Sequence, residues 1–404
     1  MAPHSNVDHT DLPVIPAPRD PRCPLAPPDQ FGKWRKSTGL QRVSWRGEPT
    51  WVVSRYQDIR AALVDPRLSA DTLPDYLKPS TDNDSAPVIF PRVDDPEHNR
   101  LRRMMTRDFT YRRAESMRPD IQRLVDGFLD DMEGSGPPAD LVRAYALPVP
   151  SLVICLLLGV PYADHEFFQH HSTIGLDRLA SEEVKAAAGA AMFEYMTELV
   201  GRKEHEPGDD LMSRLVAEHV VPGHITRETA AVNAMILLQA GHETTASMVA
   251  LGTLALLRHP DHLRRIRETD DRAVLARTVE ELMRYLSIVH SLVDRVALED
   301  LSIGGQLVGA GETLLMNLPA GNWDPQFTDR PELLDIDRNT QGHLGFGYGV
   351  HQCIGQNLAR VELQVALGTL FRRLPDLRLA VPFENLTFRN NQEIYGIEEL
   401  PVRW

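Results

Sequence analysis

Cysteine is scarce in this chain: three residues in 404, at positions 23, 155 and 353. So sparse and odd a set excludes a disulfide-stapled scaffold and points to a reducing compartment. No four-ligand zinc spacing accompanies it. Long apolar runs are also lacking. The longest, Leu152 to Val160 between Pro150 and Pro161, falls far short of the ~20 residues that span a bilayer and reads as a buried helix. Residues 1–30 hold no apolar leader segment, so the expectation is a soluble, cytoplasmic protein with no membrane partner. Positive charge is in deficit, with 43 Lys and Arg against 57 Asp and Glu and a net charge of −14. Non-specific nucleic-acid binding is disfavoured on that ground. Internal repeats, low-complexity tracts and flavin or nicotinamide fingerprints are all missing.

The chain does have 42% hydrophobic residues, enough for a large core, and thirty prolines between its apolar segments. Residues 1–20 read as a polar, proline-rich arm and 21–404 as one domain. β-rich runs around Gly47-Glu48-Pro49 predict a hairpin over 41–54, followed by a helix at 55–63. Residues 70–93, rich in Pro, Asp and Ser, read as a long binding loop. Helical periodicity marks 119–132 and a long stretch from Thr226, a candidate N-cap, to Leu257, stopped by His259-Pro260. Further helices are expected near 260–268, 271–286 and 355–372, and short strands within 293–318 and 377–404. The fold class is mainly α with a minor β region.

The most informative segment is Phe346-Gly-Tyr-Gly-Val-His-Gln-Cys353-Ile-Gly355, a glycine-punctuated loop running into a helix. The helix N-terminus favours a thiolate at Cys353. Gly347, Gly349 and Gly355 let backbone approach a flat ligand closely. Local chemistry leaves three roles open: a soft-metal ligand, a small buried hydrophobe, or a nucleophile with His351 as base.

A second segment, Ala240-Gly-His-Glu-Thr-Thr245, interrupts the long helix. Gly241 costs ~1 kcal/mol there relative to Ala, and Thr244 can bond back to the Ala240 carbonyl. Locally this is either a simple kink with a solvated Glu243 or a functional irregularity. Glu281 and Arg284 share a helix face, which alone would be a weak surface pair. Six arginines in 100–113 (Arg100, Arg102, Arg103, Arg107, Arg112, Arg113) face one acid, Asp108. They form either a solvated face or a docking patch.

The cysteine loop matches Phe-x-x-Gly-x-Arg/His-x-Cys-x-Gly at each specified position. On it, and on a resemblance running from about Pro21 to Trp404, the chain is identified as a member of the cytochrome P450 superfamily, resembling its soluble bacterial representatives. The resemblance implies a haem b between the long helix and the cysteine-bearing helix, with Cys353 as axial iron ligand. Phe346, Gly347 and Gly355 would shape the loop beside it. Glu243 and Thr244 would be the acid–alcohol pair that handles dioxygen and its protons, with Ala240 and Gly241 leaving space for oxygen. His242 would be structural or at the helix surface. His98, Arg102, Arg295 and His351 would bind the haem propionates. Glu281 and Arg284 would form a buried structural pair with Arg338, although Leu334 stands where the family often has Phe. Phe90, Leu237, Val289, Leu292, Val293 and Ile394, with Tyr395 nearby, would line the substrate pocket.

The implied function is oxidation of a small, largely apolar molecule, a reaction of secondary metabolism, with electrons from ferredoxin and ferredoxin reductase docking on the Arg100, Arg103, Arg107, Arg112 and Arg113 face. Peroxide-driven peroxygenases and nitric-oxide-reducing relatives lack the acid–alcohol pair. A non-catalytic haem sensor or ligand carrier is the reading of another class.

Overall fold

The computed structural model describes residues 12–72, 87–177, 179–269, 271–390 and 392–404. Residues 1–11 of the expected arm and 73–86 of the expected binding loop lie outside them. The helices are α1 (Asp29–Lys36), α2 (Tyr56–Ala62), α3 (Glu97–Thr106), α4 (Tyr111–Ser135), α5 (Pro148–Leu158), α6 (His165–Leu176), α7 (Glu182–His205), α8 (Leu211–Leu215), α9 (Arg227–Leu257), α10 (Pro260–Glu268), α11 (Arg272–Leu286), α12 (Leu318–Asn322) and α13 (Gln356–Arg373).

Helix α9 is the axis of the molecule. Thr226 has extended backbone angles and its hydroxyl accepts the Thr229 N–H at 3.1 Å, capping the helix as its sequence predicts. From Thr245 to Leu256 every residue is buried, because α5, α7 and α13 pack around it. A helix covered on all sides needs no polar stripe. Helix α5 carries the longest apolar run. Pro148 and Pro150 sit in its first turn, where no backbone N–H is required. Gly159 ends it with a left-handed φ of 74°, and the Asp210 carboxylate lies where a Cβ would stand. Helix α4 begins eight residues before Pro119, which the sequence alone marks as a start. Thr110 caps it, and the proline is carried inside the helix.

Six strands form the main sheet: β1 (Val14–Ile15), β2 (Gln41–Trp45), β3 (Glu48–Val53), β4 (Leu68–Ser69), β6 (Asp294–Ala297) and β9 (Thr313–Met316). Their order is β1-β2-β3-β9-β6-β4. Smaller ladders use β5 (Ala139–Asp140), β7 (Leu301–Ile303), β8 (Gln306–Val308), β10 (Arg378–Leu379) and β11 (Pro401–Arg403). The β2–β3 turn is Arg46-Gly47, with φ of 53° and 84°, the mirror-image turn that suits strand twist. Glu48 and Pro49, expected in the turn, instead open β3. The arm reading also needs correction: Ile15 and Arg19 are buried and β1 pairs with β2, so residues 14–19 are part of the body. Among the described residues no helix is long and apolar enough to cross a membrane.

Candidate active site

The Cys353 loop is built by backbone. Gly347 and Gly349 have φ of 71° and 77°. A Cβ on Gly349 would stand 2.7 Å from the Leu63 carbonyl, so that position requires glycine twice over. The Cys353 N–H donates to the Phe346 carbonyl at 2.9 Å, which closes the loop. Phe346 is clamped beneath the Arg360 guanidinium, 4.4 Å from its ring centroid. Helix α13 starts only at Gln356, so Cys353 lies just ahead of it. Its thiol is exposed yet walled by protein on most sides. Burial pushes it above the ordinary thiol value, while N–H groups of Gly355 and Gln356 and the charges of Arg102 and Arg360 pull the other way.

Around that loop four basic side chains converge from three elements: His98 and Arg102 on α3, Arg295 on β6, and His351. The His98 and His351 rings lie 3.9 Å apart. Both nitrogens of His98 and Nδ1 of His351 are buried without a hydrogen-bond partner. Arg102 spends one N–H on the Gln352 carbonyl, and Arg295 one on the Asp294 carbonyl. Burial, then the Arg102 charge, lowers His98; burial, then His98 and Arg295, pushes His351 down to about 3. Buried donors left unpaired are costly. This cluster is therefore built to face anions.

On α9, the Thr244 hydroxyl donates to the Ala240 carbonyl at 2.7 Å, leaving its lone pairs free. Glu243 is turned inward and 3% exposed. It lies 3.3 Å from Nη1 of Arg389, accepts from the Thr173 hydroxyl, and has His242 Nε2 at 3.5 Å. Arg389 also donates to the Ser247 hydroxyl and fits because residue 396 is glycine. Sequence reasoning missed Arg389, since no periodicity links residues 146 apart. Gly241 also faces a packing constraint. A Cβ there would meet Ile154 of α5 at 3.0 Å, so close packing against α5 also favours glycine. His242 is buried rather than at the surface.

The cytochrome P450 family profile matches residues 163–375. Cytochrome P450 GfsF of Streptomyces halstedii is 48% identical, covering 98% of this chain and 97% of its own length. Pentalenic acid synthase of Streptomyces avermitilis is 45% identical over 96% of each. The crystal structure of mycinamicin VIII C21 methyl hydroxylase from Micromonospora griseorubida, bound to mycinamicin VIII, superposes with a TM-score of 0.89 at 41% identity, covering 97% of this chain and all of that one. The chain belongs to the cytochrome P450 family.

Haem b is that family's cofactor, and the residues present in this P450 fit it. The thiol at 353 suits iron, and the orphaned nitrogens of His98 and His351, with Arg102 and Arg295, suit two propionates. Deeper in the P450, Glu281 and Arg284 are fully buried and paired at 2.7 and 2.8 Å. Arg284 also donates to the carbonyls of Asn322, Pro331 and Leu333. Arg338 Nε stands 3.5 Å from Glu281, and the Asp335 N–H donates to the same carboxylate oxygen at 2.9 Å.

The arginine face is smaller than its sequence count. Arg100 pairs with Glu97, and Arg107 lies 3.6 Å from Glu218. The lone acid Asp108 is itself buried against Arg214. Arg103 and Arg112 are exposed and Arg113 is half-buried. Among the pocket candidates, Val289 and Ile394 meet in a β-bridge, and Leu292 and Val293 are half-buried. Leu237 is buried one turn before Ala240 on the same helix face. Phe90 is buried too, its N–H held by the Asn233 side chain at 2.9 Å. Tyr395 does not join them: it is buried under Arg19, its hydroxyl donating to the Pro24 carbonyl.

Proposed function

We propose that this chain is a haem-thiolate monooxygenase that inserts oxygen into a small, largely apolar molecule of secondary metabolism, with Cys353 as the residue that would hold the iron. The observation that carries the reading is the exposed Cys353 thiol beside four basic side chains, two of which, His98 and His351, have buried nitrogens without a hydrogen-bond partner. A single group with one soft-ligand metal and two carboxylates answers both demands. When bound, the haem supplies the redox and oxygen-activating chemistry.

The chain's own residues do the rest. Cys353 would hold the metal through sulfur, with the Gly355 and Gln356 N–H groups and the Arg102 charge offsetting part of the burial that raises its thiol. His98, Arg102, Arg295 and His351 would bind the propionates. Thr244, anchored to Ala240 O, presents an acceptor to the oxygen side. Glu243 would pass protons there through water, and Arg389 sets its position. Electrons come from ferredoxin and its reductase, docking on the acidic protein's basic island at Arg103, Arg112 and Arg113.

Relatives support the substrate class. One is named for making pentalenic acid and another for hydroxylating mycinamicin VIII. The test is the ferrous carbon-monoxide spectrum. The native chain should give the red-shifted Soret band of thiolate ligation, and Cys353→Ala should lose it. A Cys353→Ala protein with an unchanged spectrum sinks the proposal.

A further inference from the structure

His242 is a buried imidazole for which the reading above has no use. Its Nε2 lies 3.5 Å from Glu243 Oε1 and makes no hydrogen bond. That is just outside the reach of about 2.6–3.2 Å for proton transfer, a gap that such contacts commonly close in the working state. The ring also lines a small cavity between α5, α6 and α9, about 10 Å³ in volume, with Ser151, Cys155, His165 and Gln169 among its other walls. That is about the room needed for the centre of one water. The lining is mainly apolar, Ile154, Phe168 and Leu238 included, but it carries a polar pair that could hold the water: the Gln169 amide donates to the Ser151 hydroxyl at 3.1 Å, leaving the amide oxygen and the hydroxyl proton free. Gln169 and His165 are half-buried, so the cavity's outer wall reaches the surface of α6.

We infer that His242 is a relay residue, passing protons from a water in this cavity to Glu243 by a path separate from the substrate side of α9. This rests on the reading of Glu243 as the proton donor. The step moves one proton and no electrons. The cavity water gives a proton to Nδ1 as Nε2 gives its own to Glu243 Oε1, and the water regains a proton from bulk solvent at the α6 surface. Exchange between the two ring tautomers resets the imidazole. The charged and titratable groups facing the ring are Glu243 and Arg389 on one side and His165 and Cys155 across the cavity. Burial, then the Arg389 charge, keeps His242 below its ordinary value against the opposing pull of Glu243. The ring is therefore neutral and has both a proton to give and a lone pair to fill.

The test uses the haem-loaded full chain and four variants: His242→Phe, His242→Gln, Gln169→Leu and Glu243→Gln. A crystal structure of the wild type should show a water within hydrogen-bonding distance of His242 Nδ1 and of Gln169 or Ser151; a dry cavity overturns the relay. In turnover with NADPH, ferredoxin and ferredoxin reductase, and no organic substrate, oxygen partitions between water and peroxide. His242→Phe should lower the water-forming rate on the order of tenfold, raise the peroxide share and change the solvent isotope effect. His242→Gln and Gln169→Leu should give intermediate values. Should His242→Phe not retain haem, Gln169→Leu reads the same path from α6. If Glu243→Gln alters the partition and neither His242→Phe nor Gln169→Leu does, the relay is wrong while Glu243 keeps its role. If Glu243→Gln also leaves it unchanged, the underlying reading falls.

Discussion

The Arg389 guanidinium lies 3.3 Å from the Glu243 carboxylate, joining the C-terminal segment to the middle of α9. Both side chains are largely buried, at 13% and 3% exposure. Removing one partner strands the other charge out of water, a loss of about 3–5 kcal/mol in comparable pairs. Arg389→Leu should therefore lower the unfolding free energy by about 3 kcal/mol, and Arg389→Lys by less. Denaturant melts measure this; equal melts for Arg389→Leu and wild type refute the pairing.

Helix packing at Gly241 makes a second prediction. Alanine there would gain ~1 kcal/mol of helix propensity but drive its methyl into Ile154 at 3.0 Å, an overpacking that costs about 1–3 kcal/mol. Gly241→Ala should destabilise the native protein yet stabilise an Ile154→Ala background. A double-mutant cycle reports the coupling. Simple additivity would show that the two residues do not compete for space.

Glu280 predicts a pH dependence. Burial raises its carboxyl, but hydrogen bonds from His343 and Arg360 overcome that and bring it down to about 2 from the ordinary 4.5. A depressed carboxylate contributes stability that is present above the unfolded value and lost as pH falls through the folded one. The stability difference between wild type and Glu280→Gln should therefore be constant above pH 4.5 and shrink toward pH 2. A difference that does not vary over that window contradicts the assignment.

The exposed arginines predict a salt-dependent interaction. Replacing Arg103 and Arg112 together by Glu should weaken ferredoxin binding on the order of tenfold at low salt, and less as salt screens the charges. Titration calorimetry at two ionic strengths decides it. The Arg100→Ala variant serves as comparison: Arg100 is already held by Glu97, so its removal should matter less.

Local signals carried far along this chain. The Thr226 cap, the His259-Pro260 stop and the prolines in the first turn of α5 are written in short windows of sequence, because caps and breakers act on their own turn. The glycine-bounded Cys353 motif is local in the same way, since its turns demand left-handed backbone at named positions. Single windows misplaced the β2–β3 turn and the start of α4, where strand twist and tertiary packing outweigh the usual turn and breaker preferences.

What the amino-acid order by itself determined was therefore α2, α9, α10, α11 and α13, the body of α4 and α5, and the glycine-bounded Cys353 motif. Only the tertiary structure decided which charges meet. It set Arg389 against Glu243, gathered His98, Arg102, Arg295 and His351 from α3, β6 and the cysteine loop, and took Arg100 and Arg107 out of the free arginine face. The physical reason is range. Backbone preference is settled within a few residues, whereas a buried charge takes its partner from whatever the packed chain brings within about 4 Å, however distant in sequence.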